Sequence, residues 1–220
     1  MLPANPPLSP IPPSGYFYAN KIARIYLKSI RELVGAATYA DLLQHTGLSR
    51  YLNTLPPDNF EQEFDFSDFS NLTAGLDRLQ ALNPQDPPLP IEAGRACYKD
   101  SLKTFGGLAG FSQVSMGFQV FPLNIKIKLG LHAMAITFKT FSDQLVEVSE
   151  TPDSYVYRIL RCPVCWGRHS DQPACSMAYG LLEAGLYWVT NRHYHITETE
   201  CCAMGAESCA LVIDKTPLPE

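Results

Sequence analysis

Apolar side chains recur every three or four residues over 18–34, which is the spacing of one face of a helix. The apolar positions are Ile22, Ile25, Tyr26, Ile30 and Leu33. Similar patterns predict helices over 38–53, 73–82, 91–106 and 124–142. In the last of these, the residues expected to face inward are Ile125, Leu129, His132, Ile136 and Phe138. The chain up to residue 142 is therefore predicted to be mainly helical.

Alternating apolar and polar residues predict four strands in the last part of the chain. The first two, 145–150 and 155–160, flank Thr151-Pro-Asp-Ser, which is a turn signal. A helix over 175–190 follows, and strands 193–201 and 208–214 then form a hairpin. This order of elements predicts an α+β fold, in which helices cover an antiparallel sheet that includes a C-terminal β-hairpin.

Prolines divide the chain into three predicted parts. Residues 1–14 contain six prolines, which predicts a disordered tail. Residues 83–90 contain four prolines and are the best candidate for a boundary between domains. We therefore predict an N-terminal helical extension over 15–90 and a second domain, which contains the sheet, over 91–220.

Composition and charge argue against several classes of protein. The 220 residues are 46% hydrophobic and 18% charged, which is typical of a soluble globular protein. The net charge of −5 argues against a nucleic-acid partner, because phosphate binding needs a basic surface. No apolar run reaches the ~18–20 residues that cross a membrane, and the first residues lack the pattern of a signal peptide. A cytoplasmic protein without a membrane partner is expected.

Six of the seven cysteines lie between residues 162 and 209, and Cys97 is the exception. In a cytosolic chain such clustering favours a metal site over disulfides. Glu198, Cys201 and Cys209 lie close together on the predicted hairpin, and Cys175 opens the preceding helix. These four donors can surround zinc tetrahedrally and leave no position for water, which is typical of a structural zinc. The alternative is a set of reduced thiols in the core, with Glu198 solvated.

A second pair, Cys162 and Cys165, is spaced like one half of a zinc knuckle. It lacks a matching second pair unless it uses Cys175 or His169. A redox dithiol is another interpretation, although no thioredoxin-like βαβ pattern surrounds the pair. In a third interpretation, the pair ends a strand and begins a loop at the mouth of a pocket. Cys162 and Cys165 are thus a candidate second metal pair.

Four segments of the chain resemble the 4-vinyl-reductase-type domain, also described as a hydrocarbon-binding domain. They are Arg161-Cys-Pro, Pro173-Ala-Cys-Ser, Gly180-Leu-Leu-Glu-Ala-Gly and the run from Glu198 to Ile213. Phenol- and xylene-sensing transcriptional activators carry such a domain as their sensor. Their zinc ligands, in the order Cys, Glu, Cys, Cys, match Cys175, Glu198, Cys201 and Cys209. The resemblance implies that 91–220 is a ligand-binding domain with a structural zinc beside an aromatic-binding pocket, and that the protein is a homodimer.

The resemblance also implies that some aromatic residues line an apolar pocket. The candidates are His132, Phe138, Tyr157, Trp166 and Tyr187. His132 would donate a hydrogen bond to a polar group of the ligand. The ordinary alternative is that regularly spaced aromatics are core residues and that His132 is a hydrogen-bonded core histidine.

The function implied by the resemblance is a sensor or carrier for a small apolar or aromatic molecule, which signals to a separate protein or through the dimer. A relative in bacteriochlorophyll synthesis, associated with 4-vinyl reduction, gives the alternative of a tetrapyrrole-binding protein. Binding is favoured over catalysis, because no nicotinamide, flavin or nucleophile motif occurs. A scaffold module without a ligand is a third class, since the general fold resembles vesicle-tethering subunits.

Overall fold

The predicted α+β class is confirmed by a computed structural model, which describes residues 11–105 and 121–219 except for the Phe105 side chain. These residues form six α-helices and two antiparallel sheets. The helices are α1 (Asn20–Val34), α2 (Ala36–His45), α3 (Phe66–Leu82), α4 (Leu89–Phe105), α5 (Leu123–Phe141) and α6 (Ser176–Thr190). The strands are β1 (Phe17–Ala19), β2 (Gln62–Asp65), β3 (Val146–Glu150), β4 (Ser154–Ile159), β5 (Tyr194–Glu200) and β6 (Cys209–Pro217).

The helices and strands predicted from periodicity are present, with two notable differences in length. Helix α3 begins at Phe66, because the Asp65 carboxylate accepts a 2.7 Å hydrogen bond from Ser67 N and caps the helix. Helix α2 ends at His45, shortly before Gly47 adopts a positive φ of 74°. Residues 1–10 of the predicted tail lie outside the described part of the chain. None of the described helices is long and apolar enough to span a membrane.

The larger sheet has the strand order β3-β4-β6-β5, with every neighbouring pair antiparallel. Ile159 at the end of β4 pairs with Cys209 at the start of β6. Glu200 at the end of β5 pairs with Ala210. This register places the loop after β4 at the same end of the sheet as the turn between β5 and β6. Cysteines from both connections therefore meet.

A two-stranded sheet, which the sequence did not predict, connects the N-terminal helices to the rest of the chain. Strand β1 pairs with β2, and the buried Tyr18 hydroxyl donates to Gln144 Oε1 over 2.8 Å. Buried side chains of α1, α3, α6 and the larger sheet belong to one core. The segments on either side of 83–90 are thus packed against each other.

Helices α4 and α6 cross at two glycines. A Cβ at Gly94 would lie 2.2 Å from Met177 O, and a Cβ at Gly180 would lie 2.1 Å from Ile91 O. The two backbones approach more closely than any larger residue permits. This crossing positions the first half of α6, which begins directly after Cys175.

Of the five residues predicted to face inward, Ile125 and Phe138 are half-buried, but the prediction is wrong for Leu129, His132 and Ile136, which are exposed. Ile127 and Leu131 are the buried residues of α5. Apolar residues lie on both sides of this helix, so the periodicity predicts a helix without showing which side is covered. The side with Gly130 packs on Val189 of α6, because a residue without a side chain allows the close approach.

Candidate metal centre and apolar cavity

Cysteines from four segments meet at one end of the larger sheet. Cys162 and Cys165 lie in the loop after β4, and Cys175 precedes α6. Cys201 follows β5, and Cys209 begins β6. All five side chains are buried, and none of the five forms a disulfide. The cluster can hold a metal ion.

One group of four donors consists only of thiols. The Sγ atoms of Cys162 and Cys175 are 3.5 Å apart, and those of Cys165 and Cys209 are 3.3 Å apart. The Cys175 and Cys209 sulfurs are also 3.5 Å apart. A tetrahedron with metal–sulfur bonds of ~2.3 Å has edges of about 3.8 Å. The sulfurs thus need to separate only slightly to surround an ion.

A second group contains the four residues predicted as zinc ligands, Cys175, Glu198, Cys201 and Cys209. Their ligand atoms all lie within 4.8 Å of one another. Glu198 Oε2 accepts a 3.0 Å hydrogen bond from Cys175 N. Glu198 Oε1 is buried and has no hydrogen-bond partner among the described residues. A buried carboxylate oxygen in this position fits a metal ligand, since it otherwise lacks a compensating interaction.

The electrostatics of the cluster favour a cation. Contact with the sulfurs of Cys162 and Cys165, together with burial, raises the pKa of the Cys175 and Cys209 thiols. Hydrogen bonds from neighbouring thiols instead lower the pKa of Cys165 and Cys201. Burial likewise raises the pKa of the Glu198 carboxyl, because its charged form loses water. A divalent ion reverses this balance by stabilising thiolates and carboxylate. Metal affinity is therefore expected to decrease as the pH falls.

Helix α3 holds the loop that carries Cys162 and Cys165. Thr73 Oγ1 donates a 2.7 Å hydrogen bond to Val164 O, between the two cysteines. Asp77 Oδ2 lies 2.6 Å from Arg168 Nη2, just after them. The loop is thus fixed from the side of the helices, without any contribution from a metal.

A separate feature is an apolar cavity between α1, α4, α5 and α6. Its free volume is about 80 Å³, and part of it is open to solvent. Its walls include Ile22, Tyr26, Tyr98, Met134, Phe138 and Leu181. Ser101, Thr137 and the two tyrosines are the residues with polar groups in an otherwise apolar lining.

The cavity adjoins a narrower inner space of about 20 Å³ that reaches the sheet. Met134, Phe138 and Leu181 line both spaces. Tyr157 of β4 lies in the inner wall, and its buried hydroxyl has no hydrogen-bond partner among the described residues. Leaving a buried hydroxyl unpaired costs roughly 1–3 kcal/mol. The hydroxyl is therefore placed to bind a polar group of a ligand or a water molecule.

The five predicted pocket residues separate into two sets. Phe138 and Tyr157 lie in the cavity walls. His132 is exposed, and Trp166 packs edge-on against Tyr16. Tyr187 lines a surface groove and stacks on His193 with ring centroids 4.7 Å apart. The structure thus does not bring these last three candidates to the cavity.

Several cavity residues were not predicted from the sequence. Tyr26 lies on α1 and Tyr98 on α4, whereas Met134 lies on α5. Met134 and Phe138 are four residues apart on one side of α5, and this spacing was the available signal. For Tyr26 no local signal distinguishes a cavity residue from a core residue.

The part of the chain that holds the cysteine cluster is similar to a known protein family. Residues 155–215 match the family model of the 4-vinyl-reductase-type domain. This segment is a 4-vinyl-reductase-type domain. The predicted family is thereby confirmed. The matched segment contains α6, β5 and most of β4 and β6, together with all six candidate metal donors. Helix α5 and the N-terminal helices precede it.

The 4-vinyl-reductase-type domain is part of a larger fold that solved structures share. An H-NOX protein from S. oneidensis in the Fe(II)NO ligation state is 14% identical, with a TM-score of 0.53, over 91% of this chain and 99% of that chain. The Fe(II) unliganded H-NOX protein from K. algicida is 14% identical, with a TM-score of 0.56, over 92% and 97%. An oxygen-binding H-NOX domain related to soluble guanylate cyclases is 12% identical, with a TM-score of 0.52, over 92% and 97%. At such identities the likeness shows the fold alone. No curated protein is significantly similar to the chain in sequence.

Proposed function

We propose that this chain is a sensor or carrier domain that binds a small apolar or aromatic molecule and is stabilised by a structural zinc. The observation that carries the proposal is the apolar cavity and its inner end at the Tyr157 hydroxyl. Pockets for small ligands combine apolar walls with a few polar groups, and the cavity has this composition. Its free volume of about 80 Å³ is smaller than the ~300–1,000 Å³ typical of such pockets, so the helices around it would have to move apart to admit a ligand.

The side chains that line the cavity indicate the class of ligand. Aromatic and aliphatic side chains favour an apolar body, and Tyr157 would orient one hydroxyl or carbonyl group of the ligand. The 4-vinyl-reductase-type domain supports this class of function. The fold neighbours support it more generally, since they are described in Fe(II), NO and oxygen states. The expected ligand is an aromatic ring with a single polar substituent.

The zinc would act at a distance from the ligand, as a cross-link. Cys175, Glu198, Cys201 and Cys209 would hold it, with no position for a substrate. These residues tie the start of α6 to the hairpin, and β6 pairs with β4. Helix α6 contributes Leu181 and β4 contributes Tyr157 to the inner space. The ion would thus keep two walls of the cavity in a fixed relation.

Pairs of ligands that differ only in one hydroxyl group test whether the cavity binds an aromatic molecule and whether Tyr157 recognises its polar group. Isothermal titration calorimetry would compare alkylphenols with alkylbenzenes of the same size. We expect the phenols to bind up to about tenfold more tightly, because one hydrogen bond contributes roughly 0.5–1.5 kcal/mol. Tyr157→Phe should remove that difference and leave alkylbenzene binding unchanged.

Tyr39→Phe is the matched control for this experiment. The Tyr39 hydroxyl is also buried without a partner among the described residues, but it lies on α2, outside both spaces. The variant should bind like the wild type. Absence of binding for both ligand series would contradict a sensor or carrier of this ligand class.

The zinc is tested by elemental mass spectrometry on untagged protein purified without added metal. We expect bound zinc in the wild type and in Cys97→Ser, whose thiol lies on α4 away from the cluster. Cys209→Ala should lose it, because Cys209 belongs to both groups of donors. A wild-type protein without metal would refute this part of the proposal.

A second candidate function is tetrapyrrole binding in (bacterio)chlorophyll metabolism, as in relatives linked to 4-vinyl reduction. It is favoured by the H-NOX-like fold and by Tyr98 and Met134 in the cavity wall, because both residue types ligate iron in tetrapyrroles. No histidine lines the described part of the cavity. Titration with protoporphyrin and protochlorophyllide tests it: a saturable Soret shift favours this function, and an unchanged spectrum contradicts it.

We further propose that the protein is a cytoplasmic homodimer that signals to a separate protein. The exposed Leu129 and Ile136 of α5 supply apolar surface that such a contact would cover. Sedimentation equilibrium at micromolar concentration should give the mass of a dimer. A monomer at all concentrations would contradict the dimer.

A further inference from the structure

The six donors of the cluster form two groups of four that share two members. Cys175 and Cys209 occur in both groups. Cys162 and Cys165 complete the first group, and Glu198 and Cys201 complete the second. Within each group, all ligand atoms lie within 4.8 Å of one another. This arrangement corresponds to two tetrahedra that share the edge between Cys175 and Cys209.

We propose that the cluster holds two divalent metal ions, bridged by the thiolates of Cys175 and Cys209. The first ion would be completed by Cys162 and Cys165, and the second by Glu198 and Cys201. Ions that prefer tetrahedral thiolate sites, such as zinc, suit both positions. The inference rests on the metal-binding part of the proposed function and adds a second ion to it.

The distances fit such a centre. The shared sulfurs are 3.5 Å apart, and each approaches one sulfur of the first pair at 3.3–3.5 Å. Each shared sulfur also lies within 4.8 Å of the ligand atoms of Glu198 and Cys201, so it is placed to bridge. Cys202 N also lies 3.3 Å from Cys209 Sγ, as a hydrogen-bond donor that stabilises a thiolate.

Charge favours two ions over one. Five thiolates and one carboxylate carry six negative charges, of which one divalent ion neutralises two and a pair of ions neutralises four. A single ion in either group leaves two further donors buried beside a negative centre. Burying unpaired charge is costly, so those donors would have to remain protonated. A second ion uses all six donors.

Both non-shared pairs are positioned by contacts that involve no metal. Thr73 and the ion pair of Asp77 with Arg168 hold the loop of Cys162 and Cys165 against α3. Glu198 is oriented by Cys175 N through Oε2, which leaves Oε1 for an ion. Such supporting contacts are typical of metal ligands.

Cadmium-113 NMR of the wild-type protein, reconstituted under reducing conditions, tests the proposal directly. We expect two cadmium resonances of equal intensity, one from the all-thiolate position and one from the position with a carboxylate. Because the bridging sulfurs connect the two nuclei, the resonances should be split by cadmium–cadmium coupling. Elemental analysis should give two ions per chain.

Variants assign the two positions. Cys162→Ala should lose the all-thiolate resonance, and Cys201→Ala should lose the other one; both variants should retain about one ion. Cys202→Ala is the matched control, because its side chain belongs to neither group although it lies beside the cluster. It should retain both ions and their coupling.

The outcomes separate this inference from the proposed structural zinc. A single ion, two resonances without coupling, or iron bound with inorganic sulfide would each overturn the bridged pair. A single zinc that is lost in Cys209→Ala and retained in Cys162→Ala would still agree with the proposed function. A protein that takes up no metal would contradict both.

Discussion

Asp65 connects two segments through one carboxylate. It accepts the capping hydrogen bond from Ser67 N at the start of α3, and it also accepts hydrogen bonds from Ser14 N at 3.0 Å and from Ser14 Oγ at 2.8 Å. Burial acts to raise its pKa, but the hydrogen bonds from Ser14 and Ser67 lower the pKa below its usual range. The charged form is therefore the one that the fold stabilises.

This balance predicts a pH-dependent effect of Asp65→Ala. A carboxyl whose pKa is lowered by folding contributes stability above its unfolded pKa of ~3.9, and the contribution is lost as the pH falls through the folded value. We expect the variant to lose about 1–2 kcal/mol of unfolding free energy at pH 7, in line with a lost helix cap. The loss should be smaller at pH 3. Urea unfolding of both proteins at the two pH values measures this.

Asp58→Ala serves as the control for Asp65. Asp58 is exposed and pairs with Lys21 at the surface, where ion pairs contribute little. Its removal should not change stability measurably. An Asp65→Ala deficit that is the same at pH 7 and pH 3 would contradict the role of the charged carboxylate.

Among the helices, the crossing of α4 and α6 depends most directly on single residues. Gly94→Ala would place a Cβ 2.2 Å from a backbone oxygen of α6, so the helices must separate. Replacing a helical glycine by alanine otherwise raises the free energy of unfolding by ~1 kcal/mol. Overpacking lowers it by roughly 1–3 kcal/mol or more. We expect a net destabilisation of Gly94→Ala by about 1–2 kcal/mol in chemical unfolding.

Gly75→Ala is the matched control, because it too introduces a methyl group into a helix. Its Cβ would meet Leu42 Cδ1 at 2.4 Å and Thr46 Cγ2 at 2.6 Å, which are ends of side chains rather than backbone. Side chains can rotate away, so this variant should be less destabilised than Gly94→Ala. The opposite ranking would argue against backbone contact as the constraint.

The contact of α3 with the loop that carries Cys162 and Cys165 gives a second prediction about the helices. Asp77→Ala leaves Arg168 mostly buried, with only 15% of its side chain exposed and its partner removed. Breaking a fully buried pair costs ~3–5 kcal/mol; we expect roughly 1–2 kcal/mol here, because a third of Asp77 is exposed. A looser loop should also release metal faster to a chromophoric chelator, which stopped-flow absorbance measures.

The exposed pair of Lys128 with Glu150 provides the comparison for Asp77. Lys128→Ala removes an ion pair of the same kind far from the cysteine loop, so it should leave the rate of metal release unchanged. Equal release rates for Asp77→Ala and the wild type would show that α3 does not support the metal centre.

Local sequence patterns predict helices and strands better than they predict which strands pair. The periodicities of α1 and α6 and the turn of the hairpin were sufficient to predict these elements, because each signal depends on neighbouring residues. Strands β1 and β2 have three and four residues, and their pairing joins positions far apart in sequence. The position of Cys162 and Cys165 next to Cys209 likewise depends on the pairing of Ile159 with Cys209. Spacing suggested a metal pair there, but only the register gives it partners.

At the scale of the whole molecule, the cavity requires both halves of the chain. Tyr26 and Tyr98 come from helices before the 4-vinyl-reductase-type domain, whereas Leu181 and Tyr157 come from within it. The prolines of 83–90 predicted a boundary, yet the core is continuous across that segment. A cavity formed by side chains so distant in sequence leaves no local pattern. Of the residues in its walls, only Phe138 and Tyr157 were therefore predicted from the sequence.

The metal centre and the N-terminal helices should respond differently when metal is removed. Under reducing conditions, a chelator would leave the buried thiols of the cluster without a cation, while β1, β2 and α1 keep their packing around Tyr18. We expect the melting temperature to fall by about 6–12 °C, which corresponds to a loss of roughly 3 kcal/mol in a chain of this size. Hydrogen exchange should accelerate at the ends of β4 and β5, at the start of β6 and in the first turn of α6, and should change little in α1 and α2.

Cys97→Ser is the control for metal removal: it should behave like the wild type, and added zinc should reverse the effect in both. Uniform acceleration across all helices would instead mean that the ion stabilises the whole fold cooperatively, and that the cavity walls of α1 and α4 depend on it as much as those of α6.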